Sequence, residues 1–508
     1  MTHVPPATTA AGTAGKMRRI IWIVVGAVVA TGLIWYAVFT ATKQAPVTAK
    51  NVIYLLGDGM GRTQVTAARE RFYGAGGKLV METLPAHGSV GTYAVEKNSG
   101  QPGQDDFKPE LVTDSAAAAT AWASGVKTYN AALGVDAKGV VVPTMMELAK
   151  KAGYGTGSVS TSEITDASPA AQMSHVLARG CQGPAYSASA CQDTEITGDP
   201  LPTGDVRVTP IADQIARNGT ADVIFGGGLR RFDASHEAEL MEKGYTVLGS
   251  LSSQLPATRA DLDGAAGEKV FGLFNKGNLT VQKAKQDNPA GPQAQEPSLP
   301  EMTKKAIELL DQREKTTGNG FYLQVEGSLI DKRSHDNDSA QTLEEIKAFD
   351  DAVAAALDFA KKDGNTLVIV TADHETGGFN IIEKGSFTNA EAAGPPVNVD
   401  SGNTANNSTP IRSDGNVKDP DRSTGITNGA GAKDPKNFGP ATFRTPNDPP
   451  QVQDGSKEAS LWLAYASGNH SGADVPVYAY GPGSEQLQGS VDNIDLFAIV
   501  GNALRVLR

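Results

Sequence analysis

The chain has 508 residues, of which 40% are hydrophobic and 20% are charged, so it is long enough to bury a large core. Its formal net charge of -12 at pH 7 argues against nucleic acid as an obligate partner, because phosphate backbones attract basic surfaces. An acidic chain can still bind phosphate where metal ions and an arginine make one site locally positive.

The N-terminal segment predicts a membrane anchor. The run IIWIVVGAVVATGLIWYAVF contains no charged residue and follows the basic flank KMRR. About 20 apolar residues span a bilayer, whereas the apolar region of a cleavable signal peptide is usually about 7–15 residues long. This length favours an uncleaved transmembrane helix, with a long cleavable signal as the alternative. Because positive flanks stay in the cytoplasm, the rest of the chain is expected in the periplasm or at the cell surface, anchored to the cytoplasmic membrane.

Domain boundaries follow from this segment. The chain divides into a cytoplasmic tail (1–19), the transmembrane helix (20–40), a linker (41–50) and one large domain (51–508). Within that domain, residues 385–458 are rich in Asn, Gly, Pro, Asp, Ser and Thr, which is typical of a surface insertion with little core of its own. The insertion separates two of the polar motifs described below. It therefore either overhangs their site or is a solvated, variable loop.

Apolar runs that end at acidic residues predict buried strands of a parallel sheet. NVIYLL ends just before Asp58, FYLQV ends at Glu326, and TLVIV runs into Asp373. Between such runs, residues 342–362 carry apolar side chains at helical spacing and Gly364 ends the pattern. This alternation predicts an α/β fold with a large, mostly parallel central sheet and helices on both faces. Ligands bind beyond the carboxyl ends of such strands, so the three carboxylates are expected to converge.

Ser115 is the candidate nucleophile. It begins the alanine-rich stretch SAAAATAWAS, which Gly125 closes, so a helix is expected to start at this serine. A helix N-terminus presents free N–H groups and favours a bound phosphate. The alternative is an ordinary capping serine without chemistry. A serine hydroxyl becomes a good nucleophile when a metal ion lowers its pKa, so the metal-binding motifs decide between the two.

Acidic and histidine residues at metal-ligand spacing supply those motifs. Asp331 and His335 are four positions apart, so one turn of helix would place both on one face, a combination that suits zinc. His470, in the loop GNHSG, is the candidate third ligand. The pair Asp373-His374, with Asp58, would form a second zinc site about 4 Å away. Asp166, Ser168 and Glu326 are hard oxygen groups without histidine, which suits magnesium.

Arg179 is the candidate phosphate ligand. An arginine fork binds two phosphate oxygens at once, and Asp114 is placed to hold it. The alternative is a surface arginine on a helix. His87, His175 and His236 lack ligand partners at usable spacing and are expected to be structural or surface groups.

Two cysteines predict a disulfide. Cys181 and Cys191 lie ten positions apart in a loop-like stretch. In an exported protein such a pair is expected to close a small loop, worth about 2–3 kcal/mol in the chain-entropy model. A metal site is the alternative, but it would need a further Cys or His close by. The anchor and the cysteine pair agree on an oxidising compartment.

Six motifs of the chain resemble those of the alkaline phosphatase family, in the family's order. They are GDGMG, VTDSAAAATAWASGVKTYN, TDASPAAQMSHVLARGC, QVEGSLIDKRSH, TADHETGG and GNHSGADVPVYAYGPG. Together they cover residues 50–500 apart from the insertion. The resemblance implies a mostly parallel α/β fold and hydrolysis of phosphate monoesters through a phosphoserine intermediate. It also implies a homodimer.

The resemblance implies a role for each of these residues in this sequence. Ser115 is the nucleophile, Arg179 clamps the phosphate, and Lys332 reaches phosphate through a water. Two zinc ions and one magnesium ion are held by three groups of ligands: Asp331, His335 and His470; Asp58, Asp373 and His374; and Asp58, Ser168 and Glu326, with Asp166 in the outer shell of the magnesium.

Two departures from the family pattern concern the third metal. Many members have threonine where this chain has Ser168, but both side chains offer a hydroxyl oxygen, so metal binding is expected to survive. Asp166 together with Lys332 resembles the enterobacterial arrangement, which favours magnesium over a third zinc or a cobalt ion. A second disulfide known in some bacterial members cannot form, because the chain has only two cysteines.

Two other functions compete with a phosphomonoesterase. A related phosphodiesterase or sulfatase is the first, but Arg179 suits the terminal phosphate of a monoester, which has one more free oxygen than a diester. A catalytically silent, metal-binding surface protein is the second, and the presence of both Ser115 and Arg179 argues against it.

Overall fold

A mixed sheet of ten strands forms the centre of the molecule in the computed structural model. The structure describes residues 48–183, 188–386 and 441–507, together with Met1 and His3. Its strands are β1 (Asn51–Gly57), β2 (Ala86–Gly91), β3 (Ala94–Val95), β4 (Pro109–Glu110), β5 (Gly155–Glu163), β6 (Val223–Gly227), β7 (Thr246–Leu248), β8 (Val270–Leu273), β9 (Phe321–Gly327), β10 (Thr366–Thr371), β11 (Glu375–Thr376), β12 (Phe379–Ile381), β13 (Ala441–Phe443), β14 (Leu461–Tyr465), β15 (His470–Ser471), β16 (Val475–Tyr480) and β17 (Gly489–Asp492).

Most of the central sheet is parallel. Its strand order is β17-β2-β16-β10-β1-β9-β5-β6-β8-β7, and every neighbouring pair from β10 to β7 is parallel. Strand β16 is antiparallel to both of its neighbours, β10 and β2. Strands β1, β9 and β10 are buried along their whole length, as expected for strands that are covered on both faces. The predicted α/β fold with a mostly parallel central sheet is confirmed.

Helices surround this sheet. Their bounds are α1 (Arg62–Tyr73), α2 (Ser115–Ser124), α3 (Met145–Lys151), α4 (Ala167–Ala170), α5 (Thr194–Thr197), α6 (Ile211–Asn218), α7 (Ala234–Glu242), α8 (Arg259–Asp263), α9 (Gln282–Asp287), α10 (Leu299–Thr317), α11 (Leu329–His335), α12 (Ser339–Asp363) and α13 (Asp495–Ala503). The predicted helix over 342–362 corresponds to α12. Asp338 caps its first turn, and Gly364 ends it in the left-handed conformation, φ 74°.

The carboxyl ends of the four central strands lie at one edge of the sheet. Strands β10, β1, β9 and β5 are consecutive neighbours, and each runs directly into a polar segment of the sequence. Asp58 follows β1, Glu326 lies near the end of β9, Asp166 follows β5, and Asp373 follows β10. Parallel pairing therefore brings together carboxylates as far apart in the sequence as Asp58 and Asp373, and the strand ends that carry Asp58, Glu326 and Asp373 lie side by side as predicted.

Part of the predicted insertion belongs to the fold. Residues 441–443 form β13, which pairs with β14 in a three-stranded sheet, and Phe443 is buried. Within the predicted surface insertion over 385–458, this strand therefore packs as part of the fold, because pairing and aromatic burial outweigh the polar composition of the flanking sequence. Residues 387–440 lie outside the described part of the chain.

A disulfide joins Cys181 to Cys191, as predicted. Within the described ranges, no helix is both long and apolar enough to cross a bilayer. The predicted transmembrane helix at 20–40 lies outside the described residues, as do most of the predicted tail and linker.

Candidate active site

Ser115 lies at the first position of helix α2, where the predicted cap is present. Asp114 is the capping residue, and its Oδ1 accepts a hydrogen bond of 2.9 Å from the backbone N–H of Ala117. Every residue of this helix is buried, so its start is fixed by packing as well as by the cap. The Ser115 hydroxyl lies 3.1 Å from Nε2 of His374 and 3.5 Å from Oδ1 of Asp58. The serine therefore faces the polar edge of the sheet.

Three of the predicted zinc ligands form a first ligand group: Asp331, His335 and His470. Asp331 and His335 lie on one face of α11, and Oδ1 of Asp331 is 3.3 Å from Nε2 of His335 and 3.5 Å from Nε2 of His470. The two Nε2 atoms are 3.0 Å apart. The Nδ1 atoms are bonded to backbone carbonyls, those of Gly468 for His335 and Thr113 for His470. The rings therefore direct Nε2 inward, as metal-binding histidines do.

Three more predicted ligands form a second ligand group: Asp58, Asp373 and His374. Nε2 of His374 lies 3.2 Å from Oδ2 of Asp373 and 3.6 Å from Oδ1 of Asp58. All three side chains are buried. The ring of His374 stacks on that of His470, with 3.6 Å between centroids, so the second group adjoins the first.

Both groups have the spacing of a metal site. Nitrogen and oxygen ligands about 2.0–2.1 Å from a tetrahedral zinc lie roughly 3.3–3.4 Å from one another. The measured separations of 3.0–3.6 Å bracket that value. Oδ2 of Asp373 is also buried without a hydrogen bond, which is costly unless a cation binds it. The residues present therefore fit divalent metal ions.

A third cluster of oxygen atoms surrounds Glu326. Its carboxylate accepts hydrogen bonds from the hydroxyls of Ser160 and Ser162, the latter at 3.3 Å. The Ser168 hydroxyl is buried without a hydrogen bond of ordinary geometry, although it lies close enough to lower the pKa of Glu326. Burial dominates nevertheless and raises the pKa of Glu326 to about 7. A cluster of oxygen donors without histidine fits a hard cation such as magnesium better than zinc.

Asp166 lies between two positively charged side chains of the site, those of Arg179 and Lys332. Its Oδ1 lies 2.8 Å from Nη2 of Arg179, and its Oδ2 lies 2.8 Å from Nζ of Lys332. Burial raises the pKa of Asp166, but the charges of Lys332 and Arg179 outweigh burial and hold that pKa well below its usual range. Arg179 also lies 3.1 Å from Asp114, so two carboxylates fix the guanidinium beside Ser115.

Negative charge exceeds positive charge among the buried ligands. Burial raises the pKa of Asp58 well above its usual value, and the neighbouring carboxylates of Asp373 and Asp331 add to this effect. Burial also raises the pKa of Asp373 to about 6. For His374, burial and the nearby His470 lower the pKa, so the ring is neutral and keeps a lone pair for a metal ion. The excess of negative charge and the neutral ring of His374 therefore suit the divalent metal ions that the ligand spacing indicates.

The structure brings together all of the residues that the sequence singled out for chemistry, but it adds three that the sequence did not reveal. Ser160 binds Glu326, Glu375 binds Ser471 beside His470, and Thr376 contacts both ligand groups. Glu375 and Thr376 had a sequence signal, since both directly follow His374 in the motif TADHETGG, whereas Ser160 lies outside the six motifs. The partner of Thr376, Asp331, is 45 positions away, so the contact depends on the fold.

Comparison with known proteins agrees with this geometry. The model of the family described as "Alkaline phosphatase" matches residues 49–506. The chain is 43% identical to an alkaline phosphatase of Escherichia fergusonii over 352 residues, which cover 64% of this chain and 70% of that one. It is 40% identical to the streptomycin-6-phosphate phosphatase of Streptomyces griseus over 361 residues, covering 66% of this chain and 76% of that one.

A solved structure shares the fold. The alkaline phosphatase of the Antarctic bacterium TAB5 superposes with a TM-score of 0.60 at 27% sequence identity, covering 91% of this chain and all (100%) of that chain. The family match extends over nearly the whole described domain, and it includes Ser115, Arg179 and both ligand groups. This chain therefore belongs to the alkaline phosphatase family and is a phosphomonoesterase.

Proposed function

We propose that this phosphomonoesterase acts through a phosphoserine formed on Ser115. The observation that carries the proposal is the position of the Ser115 hydroxyl, 3.1 Å from His374 in the second ligand group and at the N-terminus of a buried helix. The serine oxygen bonds to phosphorus as the bond from phosphorus to the ester oxygen breaks, and the alcohol leaves. Water then cleaves the serine–phosphorus linkage, which releases inorganic phosphate and restores Ser115.

Ion identity is the second part of the proposal. The first and second ligand groups would each hold one Zn²⁺, and Asp58, Ser168 and Glu326 would hold one Mg²⁺, with Asp166 in its outer shell. When bound, the ions would lower the pKa of the Ser115 hydroxyl and offset charge on the leaving oxygen. The mixed nitrogen and oxygen donors of the first two groups and the all-oxygen third group support this assignment.

Arg179 and Lys332 would bind the phosphate. The Arg179 side chain is 29% exposed although two carboxylates hold its guanidinium, so a substrate can reach it. A fixed guanidinium presents parallel N–H groups to two phosphate oxygens, which favours a monoester over a diester. Lys332 lies on the other side of Asp166 and would contact the phosphate through a water.

The compartment follows from the disulfide. A bond between Cys181 and Cys191 fits an extracytoplasmic enzyme, because such bonds persist in oxidising environments. We propose that residues 20–40 anchor the enzyme to the cytoplasmic membrane, on the strength of their uncharged apolar run. The homodimer stays a prediction from the family resemblance.

Hydrolysis of an aryl phosphate monoester and of the matching diester, from pH 6 to 10 and with or without a zinc chelator, tests the activity. We expect monoester preference that rises with pH and disappears on chelation. Diester preference would mean that Arg179 is not the phosphate ligand. No turnover by zinc- and magnesium-loaded protein would favour a silent metal-binding protein.

Substitution of the serine tests the intermediate. Ser115→Ala should lower kcat by at least about 1000-fold while zinc content stays unchanged, because the nucleophile is lost and the ligands remain. Ser124→Ala is a matched control, since Ser124 is buried in the same helix and bonds only to the Thr120 carbonyl among the described residues. Parallel loss of zinc and activity in Ser115→Ala would show that Ser115 is structural.

A further inference from the structure

The hydroxyl of Thr376 lies between the two ligand groups. Its Oγ1 is 2.5 Å from Oδ1 of Asp331, in the first group, and 3.2 Å from Nδ1 of His374, in the second. Thr376 is completely buried. One small side chain therefore contacts a ligand of each proposed zinc ion.

The direction of these two hydrogen bonds follows from their chemistry. A threonine hydroxyl carries one hydrogen, and an ionised carboxylate only accepts, so Thr376 donates to Asp331. The remaining contact then requires that His374 donates from Nδ1 to the hydroxyl oxygen. This arrangement selects the tautomer of His374 that is protonated on Nδ1, and it leaves the Nε2 lone pair facing the second ligand group.

We propose that Thr376 is a positioning residue shared by both metal sites. Its hydroxyl orients Asp331 and sets the tautomer of His374, so it raises the affinity of both ligand groups for divalent ions. This inference rests on the proposed function, because it takes ions to bind at both groups. The tautomer of His374 depends on a side chain, whereas those of His335 and His470 do not. The Nδ1 atoms of His335 and His470 bond to backbone carbonyls, which no side-chain substitution removes.

The backbone around Thr376 fixes the position of its hydroxyl. Its N–H donates to the carbonyl of Gly59 at 3.2 Å, and its own carbonyl accepts from Gln64 at 2.9 Å. It also pairs with His470 across β11 and β15. A Cβ on Gly59, which has a φ of 70°, would lie 2.6 Å from Oγ1 of Thr376. A larger residue at position 59 would therefore displace the hydroxyl, so glycine is required for close approach as well as for its conformation.

Zinc titration of the full chain tests the inference, with affinity measured by competition against a chromophoric chelator and zinc content by elemental analysis. Thr376→Val keeps the shape of the side chain and removes the hydroxyl, and we expect it to weaken binding of both zinc ions by about 10- to 100-fold. Thr376→Ser keeps the hydroxyl and should restore wild-type affinity. Thr156→Val removes a buried hydroxyl at the far end of β5, bonded to the Thr220 carbonyl, and should leave zinc affinity unchanged.

The outcomes separate this inference from the proposed function. Absence of zinc binding in the wild-type chain would refute the proposed function itself. Zinc binding by Thr376→Val with wild-type affinity would overturn the role of Thr376 and leave the proposed function intact. If Thr376→Val does not fold, ¹⁵N chemical shifts of the His374 ring in the zinc-loaded wild type decide. Coordination through Nε2 with a protonated Nδ1 supports the inference, and coordination through Nδ1 overturns it.

Discussion

Asp114 holds Arg179 with one carboxylate oxygen and caps the helix of Ser115 with the other. Its Oδ2 lies 3.1 Å from Nη1 of Arg179 and accepts a hydrogen bond from the N–H of Ala131, while its Oδ1 accepts from the N–H of Ala117. The proposed nucleophile and the proposed phosphate ligand are therefore both held in place by Asp114. A displacement of Asp114 would move both groups relative to a bound phosphate.

Asp114→Asn should separate these two functions. Asparagine caps a helix as well as aspartate does, so α2 is expected to stay intact. Its amide nitrogen would face the guanidinium of Arg179, which is itself a donor, so the arginine loses an acceptor and an opposite charge. We expect the competitive inhibition constant of inorganic phosphate to rise about 10-fold, which corresponds to about 1.4 kcal/mol.

Asp114→Ala serves as the comparison, because it removes the cap as well. Its unfolding free energy should fall by about 1 kcal/mol more than that of Asp114→Asn, as measured by denaturant titration. An unchanged phosphate inhibition constant in Asp114→Asn would show that Asp114 acts only as a helix cap.

The sequence predicted the ends of the strands better than it predicted their arrangement. Asp58, Glu326 and Asp373 each follow an apolar run, and a buried parallel strand is continuously apolar, so the pattern located these residues directly. The order of the strands depends on contacts between distant segments, which no local pattern encodes. Strand β16 shows the same limit, since its apolar run VPVYAY gives no sign that it pairs in the antiparallel direction.

Side-chain contacts between motifs also could not be predicted from the sequence. Thr376 and Ser160 gain their roles from partners in other elements, so their positions relative to Asp331 and Glu326 arise only when the sheet forms. Strand β13 was missed because it is three residues long and adjoins a segment of polar and turn-forming residues. Short strands of this kind are stabilised by pairing and burial rather than by their own propensity.

Removal of divalent ions should destabilise the enzyme as well as inactivate it. The carboxylates of Asp58, Asp373 and Asp331 lie buried close together, and without metal ions the charge of Lys332 offsets only part of the repulsion that they exert on Asp58. An ion present at 1,000 times its dissociation constant stabilises the fold by about 4 kcal/mol for each site. We expect a chelator to lower the thermal unfolding midpoint, and added zinc with magnesium to restore both stability and turnover.

The control for this experiment is calcium, which prefers six to eight oxygen ligands and does not suit the histidines of the first ligand group. Full recovery of activity with calcium alone would contradict the assignment of zinc to that group. An unfolding midpoint that does not respond to chelation would show that the buried carboxylates are stable without ions.

Loss of the disulfide should weaken the segment that carries Arg179. Cys181 stands two positions after the arginine, and its carbonyl accepts a hydrogen bond of 2.9 Å from Ile211. Replacement of both cysteines by alanine frees a ten-residue loop in the unfolded chain, at a cost of about 2–3 kcal/mol in stability. Denaturant titration checks this loss, and reduction of the wild type by dithiothreitol should reproduce it. Equal midpoints for the wild type and the double variant would contradict the prediction.

His175 should stabilise the fold in a restricted pH range. Its Nε2 lies 3.0 Å from Oε1 of Glu147, and its Nδ1 lies 2.8 Å from the carbonyl of Gly134. Burial lowers the pKa of His175, but the hydrogen bond and the charge of Glu147 outweigh burial and raise that pKa above its ordinary value. Burial likewise raises the pKa of Glu147, but His175 and the N–H of Thr144 outweigh it and lower that pKa.

The sign of the pH dependence follows from these two directions. A raised histidine pKa gives stability that is fully present below the unfolded value of about 6.5 and is lost as pH rises through the folded value. A lowered glutamate pKa gives stability that is present above about 4.3 and is lost as pH falls through the folded value. The ion pair of His175 and Glu147 is therefore fully effective between about pH 4.3 and 6.5.

His175→Gln should consequently lower the unfolding free energy by about 1 kcal/mol at pH 6 and by less at pH 9, where the wild-type pair has lost its charge on the histidine. Denaturant titration of both proteins at each pH, at one fixed zinc concentration, measures the difference. His87→Gln is the control, because His87 is an exposed residue of β2 whose ring bonds to the Leu84 carbonyl rather than to a carboxylate. An equal loss at both pH values would mean that His175 contributes packing and neutral hydrogen bonds, since a charged pair must weaken as the histidine loses its proton.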